Sequence, residues 1–282
     1  MKRLAWVFAL LLLIACRVQA AQQSGSLAYS RLTQGTWQIW QRDLASSHEE
    51  QMTFSEGDKR YPAWMPDGSV IYQTSNHGGF IARKQQQENP VLKELWPMTG
   101  LAASPDGKRM AFSRLLTDLA DSANVWITDG GAQRMITREP GIQYNPSWSP
   151  DGRKLAYSGG KGYGTYEIYV VDVESGARLR LTNNKTHEFL PAWSPDGSLI
   201  AFVSDAGGSF DIWAIHPDGT GLKQLTSTPS IETRPAWSPD GKSIAFATQR
   251  AGRMEVWVMD ADGANSRLLV QAEEGACDPA WR

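Results

Sequence analysis

Arg234-Pro235-Ala236-Trp237-Ser238-Pro239-Asp240-Gly241, followed by Lys242-Ser243-Ile244-Ala245-Phe246, is the passage on which the fold turns, because the chain repeats it. Residues 191–197 spell Pro-Ala-Trp-Ser-Pro-Asp-Gly, residues 146–152 differ by one serine, and residues 62–68 carry Met65 before the Pro-Asp-Gly. Residues 104–107 keep only Ser-Pro-Asp-Gly, and Asp278-Pro279-Ala280-Trp281-Arg282 reads as the opening of a sixth copy. The motif prolines Pro66, Pro105, Pro150, Pro195 and Pro239 are separated by 39, 45, 45 and 44 residues. A period of that size marks one supersecondary unit repeated around an axis.

The physical content of one unit can be read directly. Residues 234–238 form a short extended run, and Pro235 at its start is tolerable because a first or edge strand position needs no donor there. Ser238-Pro239-Asp240-Gly241 is a turn, with proline pre-setting one dihedral and glycine taking the left-handed position that follows. Residues 242–247 (KSIAFA) and 254–259 (MEVWVM) read as the second and third strands, and residues 266–270 as the fourth. Four short antiparallel strands in about 44 residues make a propeller blade.

The other copies follow this plan with local departures. A Gly-rich connection (SGGKGYGTY) stands at 158–166, and Ala103 stands where tryptophan is expected. The connection at 115–124 is long, and the tract Gln85-Gln86-Gln87-Glu88 makes the outer strands of the first full copy the least regular. Residues 26–42 look like the second and third strands of a blade that lacks its first, and Gln51-Met52-Thr53 matches the closing Gln224-Leu225-Thr226. Residues 278–282 supply the missing strand. The expectation is an all-β, six-bladed β-propeller of four-stranded antiparallel blades over 26–282, one blade closed by N- and C-terminal strands, which removes exposed sheet edges.

The formal net charge of −2 and 21% charged residues suggest no polyanion partner, so no nucleic acid is expected. Most of the 12 tryptophans recur once per repeat, which favours core packing over a binding cage. Lys2 and Arg3 precede an apolar run from Leu4 to Ala15, the pattern of an export signal over residues 1–20, with 21–25 a short linker. Two endings compete. Leu13-Ile14-Ala15-Cys16 fits a lipobox with Cys16 lipidated, and Val18-Gln19-Ala20 fits ordinary cleavage near Ala20. The expected location is periplasmic, anchored at the outer membrane only if Cys16 carries lipid. With Cys16 in the signal, Cys277 is a lone thiol, read as a small buried hydrophobe.

The phrase Pro-Ala-Trp-Ser-Pro-Asp-Gly-x-x-Ile-Ala-Phe, with its Ile-Trp strand and closing Leu-Thr, is similar to the repeats of TolB, the periplasmic propeller of the Tol–Pal system. The resemblance covers about residues 26–282. TolB proteins carry an α/β domain between signal and propeller, whereas here the repeats begin within ten residues of the signal, so contact with TolA is not implied. What the resemblance implies is docking of a Pal-like lipoprotein at one propeller face.

With the Pro-Asp-Gly turns on the lower face, the residues preceding each Pro-x-Trp start ring the upper channel mouth: Tyr61, Gly100, Asn145, Leu190, Arg234 and Asp278. Arg60, Tyr144, Phe189 and Glu232 lie beside them. Aromatic, guanidinium and carboxylate groups together suit a protein or peptide partner, although solvated loop residues are the plainer reading for any one of them. No nucleophile elbow or phosphate loop occurs, and no cofactor or metal is expected. Asp260-x-Asp262-Gly263 lacks a full calcium ligand series and reads as a turn. The rival function is carbohydrate binding or lyase-type catalysis in the channel, which would gather His77, His187, Glu188 and Asp278 around one cavity.

Overall fold

The structure, a computed structural model, describes residues 25–75, 80–84, 87–90, 98–115, 122–161 and 165–282. The signal segment with Cys16, His77 and most of the connection at 115–124 lie outside the described residues.

Every regular element among them is a strand. Three continuous four-stranded sheets contain the inner strands Lys59–Trp64, Glu188–Trp193 and Glu232–Trp237. An eight-stranded sheet is two such meanders, with inner strands Met98–Ala103 and Ile142–Trp148, joined at the single parallel bridge Ala123↔Ile142. The remaining sheet places Ala276–Trp281 beside Ser26–Thr33, Thr36–Asp43 and Glu49–Gln51. The described strands thus fall into six meanders, called here by the residue at the motif tryptophan. Each inner strand contacts the next, and Ala276–Trp281 contacts both Glu232–Trp237 and Lys59–Trp64, so the ring closes. Ser26 and Arg282 exchange backbone hydrogen bonds at 2.9 and 2.8 Å.

The strands form where the repeat predicts them. In the Trp237 blade they run Glu232–Trp237, Ser243–Thr248, Glu255–Asp260 and Arg267–Val270. The polar outer strands of the Trp64 blade also form, as Phe80–Lys84 paired with Gln87–Pro90. Four repeats close on a threonine that has a defined task. Thr53, Thr137, Thr182 and Thr226 each accept, on the hydroxyl, the backbone N–H of Ile39, Val125, Ile168 and Ile212 at 2.9 Å. A small hydroxyl residue supplies an acceptor for an otherwise unpaired buried donor.

The core lies between neighbouring blades. Phe246, Ile244 and Met259 pack with Ala201, Val203 and Ile212 of the preceding blade, and Phe202 and Ile200 pack with Ala156, Ile168 and Val170. Each of the Phe, Ile, Met and Val side chains among these contributes about 1.5–3 kcal/mol on full burial. The motif tryptophans staple blades: the indoles of Trp64, Trp148 and Trp237 donate to the carbonyls of Ala280, Ala102 and Ala192 at 3.1, 3.1 and 3.0 Å. On the lower face the Pro-Asp-Gly turns tile. Gly107, at φ 70°, lies against Pro66, where an added Cβ would sit 3.1 Å from the ring. Both its left-handed dihedral and its lack of a side chain are therefore used. Ser104, Ser149, Ser194 and Ser238 donate to Asp106, Asp151, Asp196 and Asp240 at 2.6 to 2.7 Å, and these bonds hold all four carboxyls below their usual range.

Candidate functional site at the upper channel mouth

Each inner strand carries a bulge at the same place. The register shifts between Arg60 and Ala63, and between Thr99 and Ala102, Tyr144 and Ser147, Phe189 and Ala192, and Thr233 and Ala236. Ala276–Trp281 shifts likewise against Ser26–Thr33. Two residues then oppose one, which bends the strand and re-aims a side chain. The first of the two is left-handed every time: Tyr61 (φ 58°), Gly100 (64°), Asn145 (53°), Leu190 (57°), Arg234 (57°) and Asp278 (53°). For a residue with a Cβ this costs roughly 1–2 kcal/mol, and five of the six precede proline, which itself favours extended backbone. Such strain persists only where surrounding structure enforces it, and it clusters at ligand-facing positions.

These six residues and the prolines that follow line one cavity of about 350 Å³. Gly100 is required by space as well as by dihedral, since a Cβ there would stand 2.9 Å from the Asn145 Cα. Charge is concentrated on one side of the mouth. Asp278 is buried, accepts from Arg60 Nε at 2.7 Å and forms an ion pair with Arg234, whose Nε stands 2.6 Å from Oδ1. Burial opposes ionisation of Asp278, yet the Arg234 and Arg60 guanidiniums outweigh it and hold the carboxyl below its usual range. The Tyr61 ring lies between the two arginines, 4.2 Å from the Arg234 guanidinium and 5.1 Å from that of Arg60. Arg60 also stacks on Trp37 at 4.3 Å. Two cations against one anion leave this side of the mouth positive, with aromatic walls.

Of the residues picked from sequence, the structure brings Tyr61, Tyr144, Asn145, Arg234 and Asp278 to the cavity wall, with Arg60 behind Tyr61. It does not bring Phe189 or Glu232 there. Phe189 packs edge-on against Phe210 at 5.3 Å in the core between blades. Glu232 is fully buried, where its Oε1 accepts from Arg250 Nε at 2.7 Å and from Thr228 at 2.9 Å. Tyr144 packs edge-on against Tyr166 at 5.1 Å, and burial pushes its hydroxyl pKa up. His187 pairs with Asp205 at 2.8 Å on an exposed turn, and Glu188 is buried, so neither joins Asp278 at the cavity. Asp260–Gly263 is a tight turn, closed by the Gly263 N–H to the Asp260 carbonyl at 2.9 Å. Sequence reasoning missed Trp37 and Arg250 as stacking and pairing partners. The opposite end of the channel is a separate cavity of about 610 Å³, walled by Trp64, Trp148, Trp193, Trp237 and Trp281.

The ring of inner strands, the closure by chain ends and the strained mouth define a β-propeller with a channel-mouth site. Its repeats place it more narrowly. The model for the TolB β-propeller domain matches residues 127–282, more than half of the chain, and the chain belongs to that family. The Tol-Pal system protein TolB of Anaeromyxobacter dehalogenans (strain 2CP-C) is 30% identical over 128 residues, covering 43% of this chain and 29% of that protein. The chain thus matches under a third of the length of this curated relative. Among solved structures, TolB of Acinetobacter baumannii superposes with a TM-score of 0.79 at 21% identity, over 93% of this chain and 67% of that one. Oligogalacturonate lyase of Vibrio parahaemolyticus superposes with a TM-score of 0.61 at 14% identity, over 89% and 77%. At these identities the likeness is one of fold.

Proposed function

We propose that the chain is an exported, non-catalytic docking module of the bacterial cell envelope, whose upper mouth receives an acidic segment of a protein partner. The observation that carries this reading is the Arg60–Asp278–Arg234 cluster around Tyr61 at the cavity wall. Asp278 already neutralises one guanidinium charge, so the remaining one is matched by a carboxylate from outside, and the aromatic rings supply contact area of the kind that dominates interface energies. Relatives named for the Tol-Pal system support an envelope role and a Pal-like lipoprotein as the partner class. Periplasmic location, with an outer-membrane anchor through Cys16, completes the reading. Replacement of Cys16 by Ser then removes lipid labelling and membrane fractionation, and unchanged fractionation would instead favour cleavage near Ala20.

The test is capture from crosslinked envelopes with the wild-type chain and with Arg234→Glu/Tyr61→Ala. The expected result is a partner retained by the wild type, lost by the variant and competed by an acidic peptide from that partner. Identical partners for both chains would exclude the mouth as the docking site. The enzymatic alternative needs a convergent titratable set. Among the described members of its predicted set, Asp278 alone lines the upper cavity.

A further inference from the structure

The two arginines beside Asp278 are not equivalent. Arg60 donates to the carboxylate with Nε at 2.7 Å and Nη2 at 3.4 Å, and its guanidinium stacks on Trp37 at 4.3 Å and on Tyr61 at 5.1 Å. It stands behind Tyr61 and is not part of the cavity wall. Arg234 is part of that wall, with Nε 2.6 Å from Asp278 Oδ1 and the guanidinium 4.2 Å from the Tyr61 ring. Its Nη groups make no hydrogen bond to a described residue.

The ring order fixes what faces Arg234. From its strand, three steps round the channel lead past the strands of Asp278 and Tyr61 to Met98–Ala103, which carries Gly100. Gly100 projects no side chain, and Asn145 lies over it, with Nδ2 3.1 Å from the point where a Cβ would stand. The Asn145 amide is therefore the polar group opposite Arg234, and it too makes no hydrogen bond to a described residue. Prolines, Tyr61, Tyr144 and Leu190 line most of the remaining wall.

We propose, on the reading of the mouth as a docking site for an acidic segment, that it admits one carboxylate of that segment. The Nη edge of Arg234 is the receptor, and the Asn145 amide holds a neighbouring peptide group. Two parallel N–H groups on a planar fork match the two oxygens of a carboxylate, and stacking on Tyr61 steadies the fork. Arg60 has already turned its Nε–Nη2 edge to Asp278. A phosphate would bring a second charge to a site with one unmatched guanidinium and the Asp278 carboxylate behind it. An amide donates and accepts at once, as a main-chain peptide group requires of its partner. The cavity of about 350 Å³ is near the lower bound of small-ligand sites, room for a residue or two of extended chain and not for a folded surface. A Glu or Asp side chain and a chain terminus present the same carboxylate, and the experiment separates them.

The experiment is calorimetric titration of the full chain, to millimolar concentration, with acetyl-Ala-Ala-Glu-Ala-Ala-amide, its Gln counterpart, and acetylated penta-alanine with a free carboxyl terminus. Saturable heat is expected from at least one carboxylate peptide, and the stronger of the two names the source. The Gln peptide is expected to bind about tenfold more weakly or not at all, the worth of a charge-assisted hydrogen bond. Arg234→Lys keeps the charge without the fork and is expected to remove most of that preference, whereas Arg60→Lys still pairs with Asp278 and removes less. Asn145→Gly keeps the left-handed backbone and is expected to weaken every peptide about threefold, with the carboxylate preference intact. Melting of each variant confirms that it folds. A preference that survives Arg234→Lys, or that Arg60→Lys removes equally, would overturn this assignment and leave the docking face standing. Absence of heat from all three peptides would overturn it as well, and the docking reading falls with it only if envelope capture also finds no partner that depends on the mouth.

Discussion

Arg234 Nε stands 2.6 Å from Asp278 Oδ1 in an ion pair, and the two residues occupy the same left-handed bulge position in adjacent blades. Asp278 therefore balances Arg234 on one side and Arg60 on the other. Deleting it leaves two guanidiniums facing each other, and Asp278→Ala is expected to cost about 3–5 kcal/mol, the usual penalty for breaking a buried pair. Arg234→Ala should cost less, because Arg60 still pairs with the carboxylate. Because the folded carboxyl titrates below its usual range, its contribution is present above the unfolded value, about pH 3.9, and is lost as pH falls through the folded value. Urea unfolding of the wild type and both variants at pH 7 and at pH 3 measures the order and the pH dependence. Equal losses for the two variants would show that the residues do not act as a triad.

The tryptophan staples allow an internally controlled comparison. Trp237 donates its indole N–H to the Ala192 carbonyl at 3.0 Å, whereas the buried Trp193 indole nitrogen has no partner among the described residues. Both side chains are half-buried at equivalent places, so their packing losses on replacement by phenylalanine are comparable. Trp237→Phe gives up a hydrogen bond and strands a carbonyl, while Trp193→Phe removes an unsatisfied donor. The first is expected to be less stable than the second by about 1 kcal/mol, read from urea midpoints with unchanged slopes.

The fold was legible because turn chemistry, tryptophan and strand pattern recur together, and even the closure by residues 276–281 follows from counting strands at both ends. The mouth was legible as a position, through its fixed offset before each proline, but not as a conformation. Nothing in Leu190 or Arg234 announces left-handed backbone, which the bulge imposes through pairing with the neighbouring strand. Glu232 was misplaced for a simpler reason. It stands two residues before Arg234, in a column with Lys59, Gln143, Glu188 and Ala276, all buried. The two-residue alternation of a strand separates that column from Arg60 and Tyr144, one residue nearer the rim. Trp37 and Arg250 were out of reach because cation–π and ion pairs between strands depend on side-chain direction rather than on sequence interval.

Cys277 precedes Asp278 and is buried, and burial with the adjacent carboxylate drives its thiol pKa well above the ordinary range. Since the thiolate is the reactive form, the folded chain should resist alkylation at pH 8 and react fully in urea. Peptide mapping after brief iodoacetamide treatment reads the difference. Rapid labelling of the native chain would mean that the inner strand of the closing blade opens readily.

Glu188 provides the opposite electrostatic case. Its side chain is buried, with Thr186 and Ser204 hydroxyls 3.4 Å from Oε1 and Asn184 also donating to that oxygen. Burial raises its pKa most, the Thr182 and Asn184 hydrogen bonds oppose this, and the Glu167 carboxylate adds to the rise. A folded pKa above the unfolded value means that the folded state holds this proton more tightly. The resulting stability is present below about pH 4.3, the unfolded value, and is lost as pH rises through the folded one. Above the folded value the chain therefore keeps a buried carboxylate beside another, and an amide of the same shape removes that repulsion while offering Glu167 a donor. Glu188→Gln is expected to melt at higher temperature than the wild type at pH 8 and to lose that advantage towards pH 4, as the native carboxyl takes up its proton. Calorimetric melting of both chains across that interval decides the point: a constant difference at every pH would place the effect in packing, not in charge.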